Sequence, residues 1–450
     1  MKDSYSVKVK IEKSQEKQFI RVPFTVPEDV ERLTVSYAHK GDNVNSMPTG
    51  HEKNVIDFLI ITPDGVEAGA SGSNKKRVTL SSAFSTPGYD RMEIKAGQWQ
   101  AVLGAYMIMS EGVEVTVTAE FEFKRYRWLK GDTHLHSVNS DGKLTIEQLG
   151  AAARKKGLDY MVITDHNNFF HNKRLPQIPD LTIIPGVEFT HYSGHINIIG
   201  LASPYTGSYV LNSFEEFVKK LEEPRSAGAI LSVNHPFCSL CPWLWPLEGF
   251  EHEMVEVWNG PMRKDNLTTI EWWHKELCKG RKLAALGGSD FHWGIGSLTY
   301  IGMPTACVYA KSNSAPDILE AMRKGRVSLK RGAKAPMLTL ECGDAVMGDS
   351  VKFAPGTKVR VSTEKLKRGQ TLVVYDADGV IFKHKANKTA PFSAEIEVKN
   401  KGFVRAEVRY TAGILESIIY KAMIFALIRS QFKDPIPEMI AALTNPIYFE

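Results

Sequence analysis

Apolar and polar positions follow two different rhythms along the chain. From residue 1 to about 125 they alternate every second residue, as in SYSVKVKIEK, FIRVPFTV, RLTVSYAH and VEVTVTAEFEF. Elsewhere in that stretch they gather into short apolar runs, VIDFLIITPDG and QWQAVLGAYMI, with polar and glycine-rich turns between them. Short strands at regular spacing with no helix between them predict a β-sandwich of jelly-roll type over residues 1–125. Near Trp128 the rhythm changes. WLKGDTHLH leads to the helix TIEQLGAAARKKG and the strand LDYMVITDH; LTIIPGVEFT and HINIIGL are followed by SFEEFVKKLEE, AILSVNHP, MVEVWNG, NLTTIEWWHKELCKG, LAALGGSDFH and APDILEAMRKG. In the first helix Ile146, Leu149 and Ala153 make one buried stripe, Thr145 opens it and Gly157 stops it. Strands alternating with amphipathic helices over 126–332 predict a parallel sheet long enough to close into a barrel. From about residue 335 short strands return (PMLTLE, KVRVSTE, TLVVYDADG, SAEIEVK, FVRAEVRYT), predicting a smaller β-sandwich over 333–450. An apolar helical insertion interrupts it near 414–440.

Composition adds limits. With 450 residues, 43% of them hydrophobic, the chain can build two or three cores. The polar start MKDSYSVKVKIEKSQEKQFI has no apolar core of a signal peptide. No run approaches the roughly 20 apolar residues of a membrane span; IIYKAMIFALI is short and carries Lys421. A cytoplasmic protein without a membrane partner is expected. The helix near 414–429 suits a dimer contact or packing within the chain equally well, which leaves the oligomeric state open. Five cysteines make no disulfide framework, and Cys238-x-x-Cys241, with no second such pair, is expected to be a packing or loop feature. Residues 311–412 hold 20 Lys and Arg against 11 Asp and Glu. Without a nucleic-acid motif or a stacking stripe this reads as a solvated charged face, so the expected partner is a small-molecule substrate.

Candidate chemistry comes from where the 13 histidines fall. Several lie at the C-terminal ends of expected strands, the end where barrels of this kind assemble their sites. His134 and His136 are two apart at the end of the first strand and so project to the same side. Asp290 and His292 repeat that geometry on the last. Asp165-His166 end the second strand, Glu188 the third and His235 the fifth; His195 lies just before or within the fourth, and Asp141 follows the first in the loop SDG. An aspartate before a helix is usually a cap, and a lone histidine a satisfied polar residue. Nine such groups at the strand ends of one sheet point instead to a metal site made of His134, His136, Asp141, His166, Glu188, His195, His235, Asp290 and His292. Imidazole with carboxylate suits zinc, manganese or iron. Nine ligands exceed the needs of one tetrahedral ion, so two or three divalent ions are expected, with Glu188 bridging. Closely spaced ions lower the pKa of a shared water to give hydroxide at neutral pH and stabilise charge on a phosphoryl or carbonyl oxygen. Hydrolysis is the reaction to expect.

KGDTHLHSVNSDGKLTIEQLGAAARKKGLDYMVITDHN resembles the opening of the PHP superfamily, named for polymerase and histidinol phosphatase, and GVEFT, SGHINIIG, VNHP and GGSDFH resemble its later motifs. The resemblance covers about residues 128–330. It implies a distorted (β/α)7 barrel, making the chain a multidomain α/β protein with the barrel flanked by two β-sandwiches. It also implies three metal ions and, mostly, phosphoester hydrolysis. Carried over residue by residue, His134, His136 and Asp290 would hold one ion with Glu188. Asp141 and His166 would hold a second, sharing Glu188, and His195, His235 and His292 a third, Asp290 and His292 being exchangeable between ions. SGSNKKRVTLSSAFSTPGY ahead of the barrel and the closing TNPIY resemble the CehA/McbA branch of metallohydrolases, whose best-known members hydrolyse aryl carbamates such as carbaryl. The stretch 414–440 departs from that pattern.

Outside the nine, His171 and His191 offer a proton donor or substrate contact, or simply support the site. Trp243, Trp245, Trp258 and Trp293 could line a pocket for an aryl group or pack a core. Arg263 and Lys264 could meet a phosphate or lie in a solvated loop. Three functions follow in order: a metal-dependent phosphoesterase, a carbamate, ester or amide hydrolase, and a non-catalytic binding protein.

Overall fold

Side-chain alternation shapes the first part of the chain. In the computed structural model, which describes residues 2–39, 53–293 and 300–450, residues 1–126 form one compact unit together with 311–314. Its strands are β1 (Lys2–Ile11), β2 (Phe19–Val26), β3 (Val30–His39), β4 (Val55–Ile61), β5 (Glu67–Ser71), β6 (Arg77–Ser81), β7 (Gly97–Met107) and β8 (Val113–Phe123). Along β8 Val113, Val115, Val117, Ala119 and Phe121 are buried while the residues between them face outward, the period-2 pattern of a half-buried strand. The strands pair as β1-β8-β3-β6 and β2-β7-β4-β5, antiparallel throughout. Val35 and Val117 of one sheet share a core with Phe58, Trp99 and Leu103 of the other.

Residues 127–310 and 315–450 make the second unit. It opens with β9 (Arg127–Asp132), α1 (Ile146–Lys156), β10 (Tyr160–Ile163), β11 (Thr182–His191), β12 (Gly194–Ile199), α2 (Phe214–Ser226), β13 (Ile230–Val233), β14 (Met254–Asn259), α3 (Lys264–Cys278) and β15 (Ala284–Gly288). In α1 Thr145 and Gln148 form a reciprocal capping box, and Gly157 closes the helix at φ 78°, both stabilising devices at helix ends. Ile146, Leu149 and Ala153 are its buried stripe. The strands lie in the order β15-β14-β13-β12-β11-β10-β9. Beyond their ends β9 and β15 also meet, through an isolated parallel bridge of Leu135 with Phe291.

The expected run of parallel strands, each followed by a helix, does not hold throughout. β12 runs antiparallel to both β11 and β13, because β11 and β12 are joined by the tight turn Tyr192–Ser193 rather than by a helix. Gly194, at φ 152°, leaves that turn where a Cβ would lie 2.3 Å from the Trp243 ring, so a side chain is excluded there. A short 3-10 turn over Phe170–Arg174 replaces a helix between β10 and β11, and an irregular segment, residues 234–253, joins β13 to β14.

The same sheet continues from β9 into β16 (Thr305–Ala310) and, after α4 (Ala315–Arg323), into β17 (Val327–Lys330). There follow β18 (Leu338–Cys342), β19 (Ala345–Val346), β20 (Ser350–Val351), β21 (Lys358–Leu366), β22 (Thr371–Asp376), β23 (Gly379–Lys385), β24 (Ala390–Glu397), β25 (Gly402–Tyr410), α5 (Ile414–Leu427), β26 (Met439–Thr444) and β27 (Ile447–Phe449). β26 lies between β17 and β25, antiparallel to both, so the boundary expected at 332/333 falls within one sheet and one compact unit. A second sheet, β19-β18-β21-β24, faces it across a core that includes Leu340, Val361, Val374, Val404 and Phe449. Just past β26, Asn445 accepts from the Ala285 N–H at 2.7 Å and donates to the carbonyls of Ala285 and Val327, tying β15 to β17. No helix among the described residues is long and apolar enough to cross a membrane.

Just before β14, His252 is buried; its Nε2 accepts from Arg281 Nη2 at 2.9 Å and its Nδ1 donates to the Phe250 carbonyl at 3.3 Å. Burial, then the Arg281 charge, push its pKa down to about 3. Between that value and the ordinary 6.5 the unfolded chain binds a proton that the folded protein refuses. The stability held in this residue is therefore complete above 6.5 and is lost as pH falls toward 3. His252→Gln, which does not titrate, should keep a constant Tm difference from wild type above about pH 7.5. As pH falls toward about 4 that difference should move in the variant's favour, as thermal scans across pH would show.

Candidate metal centre

Strand direction assembles the site. Past the end of β9 the chain bends at Thr133 and Leu135 forms a bridge with Phe291, and the rings of His134 and His136, on either side of Leu135, come to centroids 5.1 Å apart. Asp132, fully buried, holds that strand end in place by accepting from the backbone N–H groups of Ser289 (2.9 Å) and Gly302 (2.7 Å). Burial pushes its carboxyl up to about 6 against those hydrogen bonds. Glu188, on β11, stands at the middle of the cluster with 1% of its surface exposed. Its carboxylate oxygens lie 2.8 Å from His166 Nδ1, 3.0 Å from His195 Nδ1, 3.4 Å from His134 Nε2, 3.5 Å from His136 Nε2 and 3.6 Å from His235 Nε2. Asp290 Oδ1 is 3.1 Å from His136 Nε2 and 3.4 Å from His134 Nε2.

All nine residues expected at a metal site therefore come together. Their finer grouping differs from the partition that the resemblance implies, in which Asp290 and His292 are exchangeable between ions. Placed there with His195 and His235, His292 instead stacks its ring on His136 at 4.0 Å and sets its Nε2 3.3 Å from Asp141 Oδ1. The loop after β9 folds back through Gly142 N–H to the Ser137 carbonyl and Lys143 N–H to the His292 carbonyl, which brings Asp141 to His292. Among the described residues three sets of candidate ligand atoms each fall within 4.8 Å: His136, Asp141, His166 and His292; His134, His136 and Glu188; and His195, His235 and Cys241.

A layer of hydrogen bonds orients these groups. Glu256 Oε1 lies 3.0 Å from His134 Nδ1, and Asn259 Nδ2 donates to Glu256 Oε2 (3.0 Å) and Asp290 Oδ2 (3.3 Å). Asn234 donates to Glu188 Oε1 at 2.8 Å, Thr190 Oγ1 is 2.6 Å from His166 Nδ1, and His292 Nδ1 donates to the Asp290 carbonyl at 3.0 Å. Fixing one ring nitrogen in this way directs the other inward. His235 (φ 29°) and Asp290 (φ 51°) hold left-handed backbone, a local cost on the order of 1–3 kcal/mol each.

Electrostatics couple the cluster. Burial alone would raise the Glu188 and Asp290 carboxyls, yet the facing imidazoles, His134 foremost, hold both well below the usual range. Burial would lower His134 and His235, but Asp290, Glu256 and Glu188 reverse this, leaving His134 well above its usual value and His235 at about 9. For His136 burial prevails and the shift is downward. Despite this crowding, His134 Nε2, both ring nitrogens of His136 and Glu188 Oε2 are buried without a hydrogen-bond partner among the described residues. Buried polar atoms left unpaired cost about 1–3 kcal/mol each, and their convergence is what a cation site requires.

The other anticipated contacts divide. His171 Nε2 lies 3.1 Å from Asp165 Oδ2, and Asp165 accepts from Ser137 and Ser140, so His171 braces the loop that carries Asp141. His191 stacks on Trp245 at 4.4 Å. Trp243 and Trp258 are buried in the core with Phe217 and Phe250, and Trp258 also borders a cavity of 250 Å³ lined by Met262, Tyr300 and Tyr420. Trp293 is 57% exposed, with Lys143 Nζ 5.1 Å from its ring. Arg263 is not available to a phosphate: it is buried and its guanidinium donates to the Asn259 carbonyl (2.6 Å), Asn259 Oδ1 (3.0 Å) and Asp265 (3.3 Å). Lys264 pairs with Asp434 at 2.9 Å. A cavity of 690 Å³ lined by Arg225, His252 and Arg281 opens where β14 begins, at the opposite end of that strand from Asn259.

Sequence reasoning missed Asp132, Thr190, Asn234, Cys241, Glu256 and Asn259. Glu256 and Asn259 were visible as polar residues inside the apolar strand MVEVWNG, and Asn234 as the neighbour of His235 in VNHP. Cys241 sits in a motif that suits packing or a loop equally well. Its thiol lies 3.6 Å from that of Cys238 and 3.7 Å from His235 Nδ1. The hydrogen bond from Cys241, with His235 and Arg263 nearby, pulls the Cys238 thiol down to about 4, while Cys241 is pushed up.

A buried histidine–carboxylate cluster at strand ends is the mark of a metal-dependent enzyme class. Residues 132–275 match the PHP domain family; that segment holds seven of the nine clustered residues and ends before Asp290 and His292. Over 63 residues the chain is 41% identical to the DNA polymerase/3'-5' exonuclease PolX of Bacillus subtilis, a match covering 14% of this chain and 11% of that protein. The chain thus spans about a tenth of that relative's length. Among solved structures it is similar to a two-domain protein from Bacteroides vulgatus containing a candidate PHP-like metal-dependent phosphoesterase (20% identity, TM-score 0.38), covering 63% of this chain and 90% of that one. It is also similar to a candidate metal-dependent phosphoesterase of Bifidobacterium adolescentis (16% identity, TM-score 0.30), covering 42% of this chain and 96% of that one. An amidohydrolase of Chromobacterium violaceum matches at 16% identity and TM-score 0.26, over 44% and 96% of the two chains.

Gly288, at the end of β15, lies against the first histidine: a Cβ there would be 2.3 Å from His134 Cβ and 2.8 Å from His134 N. Gly288→Ala should cost about 1–3 kcal/mol of stability through overpacking. Urea unfolding would show a lower midpoint, and an unchanged midpoint would mean the strands separate freely at this point.

Proposed function

We propose that the protein is a metal-dependent phosphoesterase whose divalent ions are held by His134, His136, Asp141, His166, Glu188, His195, His235, Asp290 and His292. The observation that carries the reading is the convergence of these side chains, several with unpaired inward atoms, on the buried Glu188. Imidazole and carboxylate donors fit zinc, manganese or iron. Bound ions would supply an activated water and charge stabilisation for a phosphoryl oxygen. The chain's own part is positional. Glu256, Asn234, Asn259 and Thr190 hold the donors in one orientation, and burial of Glu188, His134 and His136 keeps bulk water from their inner faces. Asp141, 60% exposed, stands at the mouth; exposed Lys143 follows it by two residues, and Lys143 Nζ lies 5.1 Å from the ring of exposed Trp293, the residue after His292. Lys143 gives a phosphate oxygen a cationic partner there. The PHP-domain match supports the same reaction, and the Leu135–Phe291 bridge supports a distorted barrel closed between β9 and β15.

A carbamate or ester hydrolase of the CehA/McbA type is the alternative that the flanking sandwiches suggest. Of the four tryptophans it would use, Trp243 is packed in the core, Trp258 is buried against a separate apolar cavity with Tyr300 and Tyr420, and Trp245 stacks on His191.

Hydrolysis of matched p-nitrophenyl phosphate mono- and diesters, carbamates and carboxylate esters by the protein loaded with manganese or zinc tests the reading. Turnover of phosphates is expected, and the double variant Asp290→Ala, His292→Ala should abolish it. Preference for carbamates or esters would overturn the phosphoesterase reading, and failure to bind metal would overturn the site itself. Glu256→Gln, which removes the charge behind His134, should weaken metal binding about 10–100-fold, as competition with a chelating dye would measure.

A further inference from the structure

The set His195, His235 and Cys241 brings a thiol into a centre otherwise built from nitrogen and oxygen donors. The irregular segment after β13 places it there. Cys238 N–H donates to the His235 carbonyl, Trp243 N–H to the Pro236 carbonyl and Leu244 N–H to the Ser193 carbonyl. Those three bonds curl the segment over the β11–β12 turn and return Cys241 to His235, with Sγ 3.7 Å from Nδ1. His195, on the neighbouring strand, completes the set within 4.8 Å, and Glu188 Oε1 lies 3.0 Å from His195 and 3.6 Å from His235. Cys238 is placed differently. It is buried, and its sulfur lies 3.9 Å from the Arg263 guanidinium, so a cation already neighbours it on the far side of the thiol pair. Cys241 is only partly buried and is the thiol that reaches the histidines.

Building on the metal-site reading above, we infer that Cys241 is a thiolate ligand of the ion held by His195 and His235. One position of the centre then has two imidazoles and a sulfur, a softer donor set than the others. Soft thiolate with imidazole selects zinc, and cobalt in its place, over manganese, which prefers oxygen donors. The centre is therefore chemically graded, with a thiophilic position beside positions rich in carboxylate. The competing arrangement is a Cys241 that only hydrogen-bonds to His235 Nδ1 and never meets the ion.

Cobalt(II) reports the difference directly, because thiolate ligation adds a near-ultraviolet charge-transfer band that nitrogen and oxygen ligands do not give. The full-length protein loaded with cobalt should show this band. Cys238→Ser should retain it, and Cys241→Ser should lose it while the visible cobalt bands of the remaining ions persist. Cys241→His, which restores a donor, should recover the lost cobalt stoichiometry without the band, with circular dichroism confirming the fold of each variant. In zinc–manganese competition the wild type should retain one zinc that Cys241→Ser exchanges. Bound cobalt without a charge-transfer band in the wild type would overturn the assignment and leave the metal centre standing. A band lost in Cys238→Ser but kept in Cys241→Ser would overturn it in favour of the other thiol. Absence of bound cobalt would overturn both this inference and the metal-site reading.

Discussion

A carboxylate buried at 1% exposure is the constraint around which the second unit is organised. Moving Glu188 out of water costs several kcal/mol unless positive charge and hydrogen bonds surround it. The His134, His166 and His235 imidazoles, whose pKa values are raised, and hydrogen bonds with His195 and from the Asn234 amide do so, and they come from different strands or strand ends. Every strand that contributes must therefore arrive in one register. In the β11–β12 pair Glu188 faces Asn197 and Thr190 faces His195. A slip of one residue would turn the Glu188 side chain to the other face and leave the histidines without their counter-charge. The fold is held in register by its chemistry as much as by its apolar core.

The same demand reaches one layer outward. His134 is fixed between Glu188 and Glu256, Glu256 is fixed by Asn259, and Asn259 also reaches Asp290. This chain of contacts couples β14 to the ends of β9 and β15 through side chains rather than backbone pairing. It explains why MVEVWN on β14 is buried at all six positions although two of them are polar. A polar network of this kind is stable only when each member is satisfied, so the inward atoms that remain unpaired stand out sharply.

Much of this was legible in the amino-acid order. The paired ligands His134/His136 and Asp290/His292 and the single ones at other strand ends stood out because short apolar runs end in residues that a core would not otherwise take. The capping residues of α1 and the period-2 pattern of β8 were equally plain. What stayed hidden depends on loops. The reversal of β12 hangs on a tight turn, whose flanking sequence alternates in the same way whichever direction the strand runs. The meeting of His292 with Asp141 depends on two backbone hydrogen bonds after β9. Arg263 read as a free cation because its partners, Asn259 and Asp265, lie so near in sequence that only the backbone path shows them closing on it. Cys241 was hidden for the opposite reason, since its motif also suits ordinary packing.

The insertion of β26 between β17 and β25 bears on how the molecule comes into being. On the ribosome, β9 to β17 emerge long before β26, and until residue 445 is free β17 lacks one neighbour and Ala285 lacks the amide that clamps it. Contacts that span so much chain form late and slowly. The strand that delivers Asp290 and His292 thus waits, in the nascent protein, for a segment translated more than 150 residues afterwards. Acquisition of the finished site is correspondingly a late event of biosynthesis, and a polypeptide arrested before that segment would carry every candidate ligand without the brace that positions the last two.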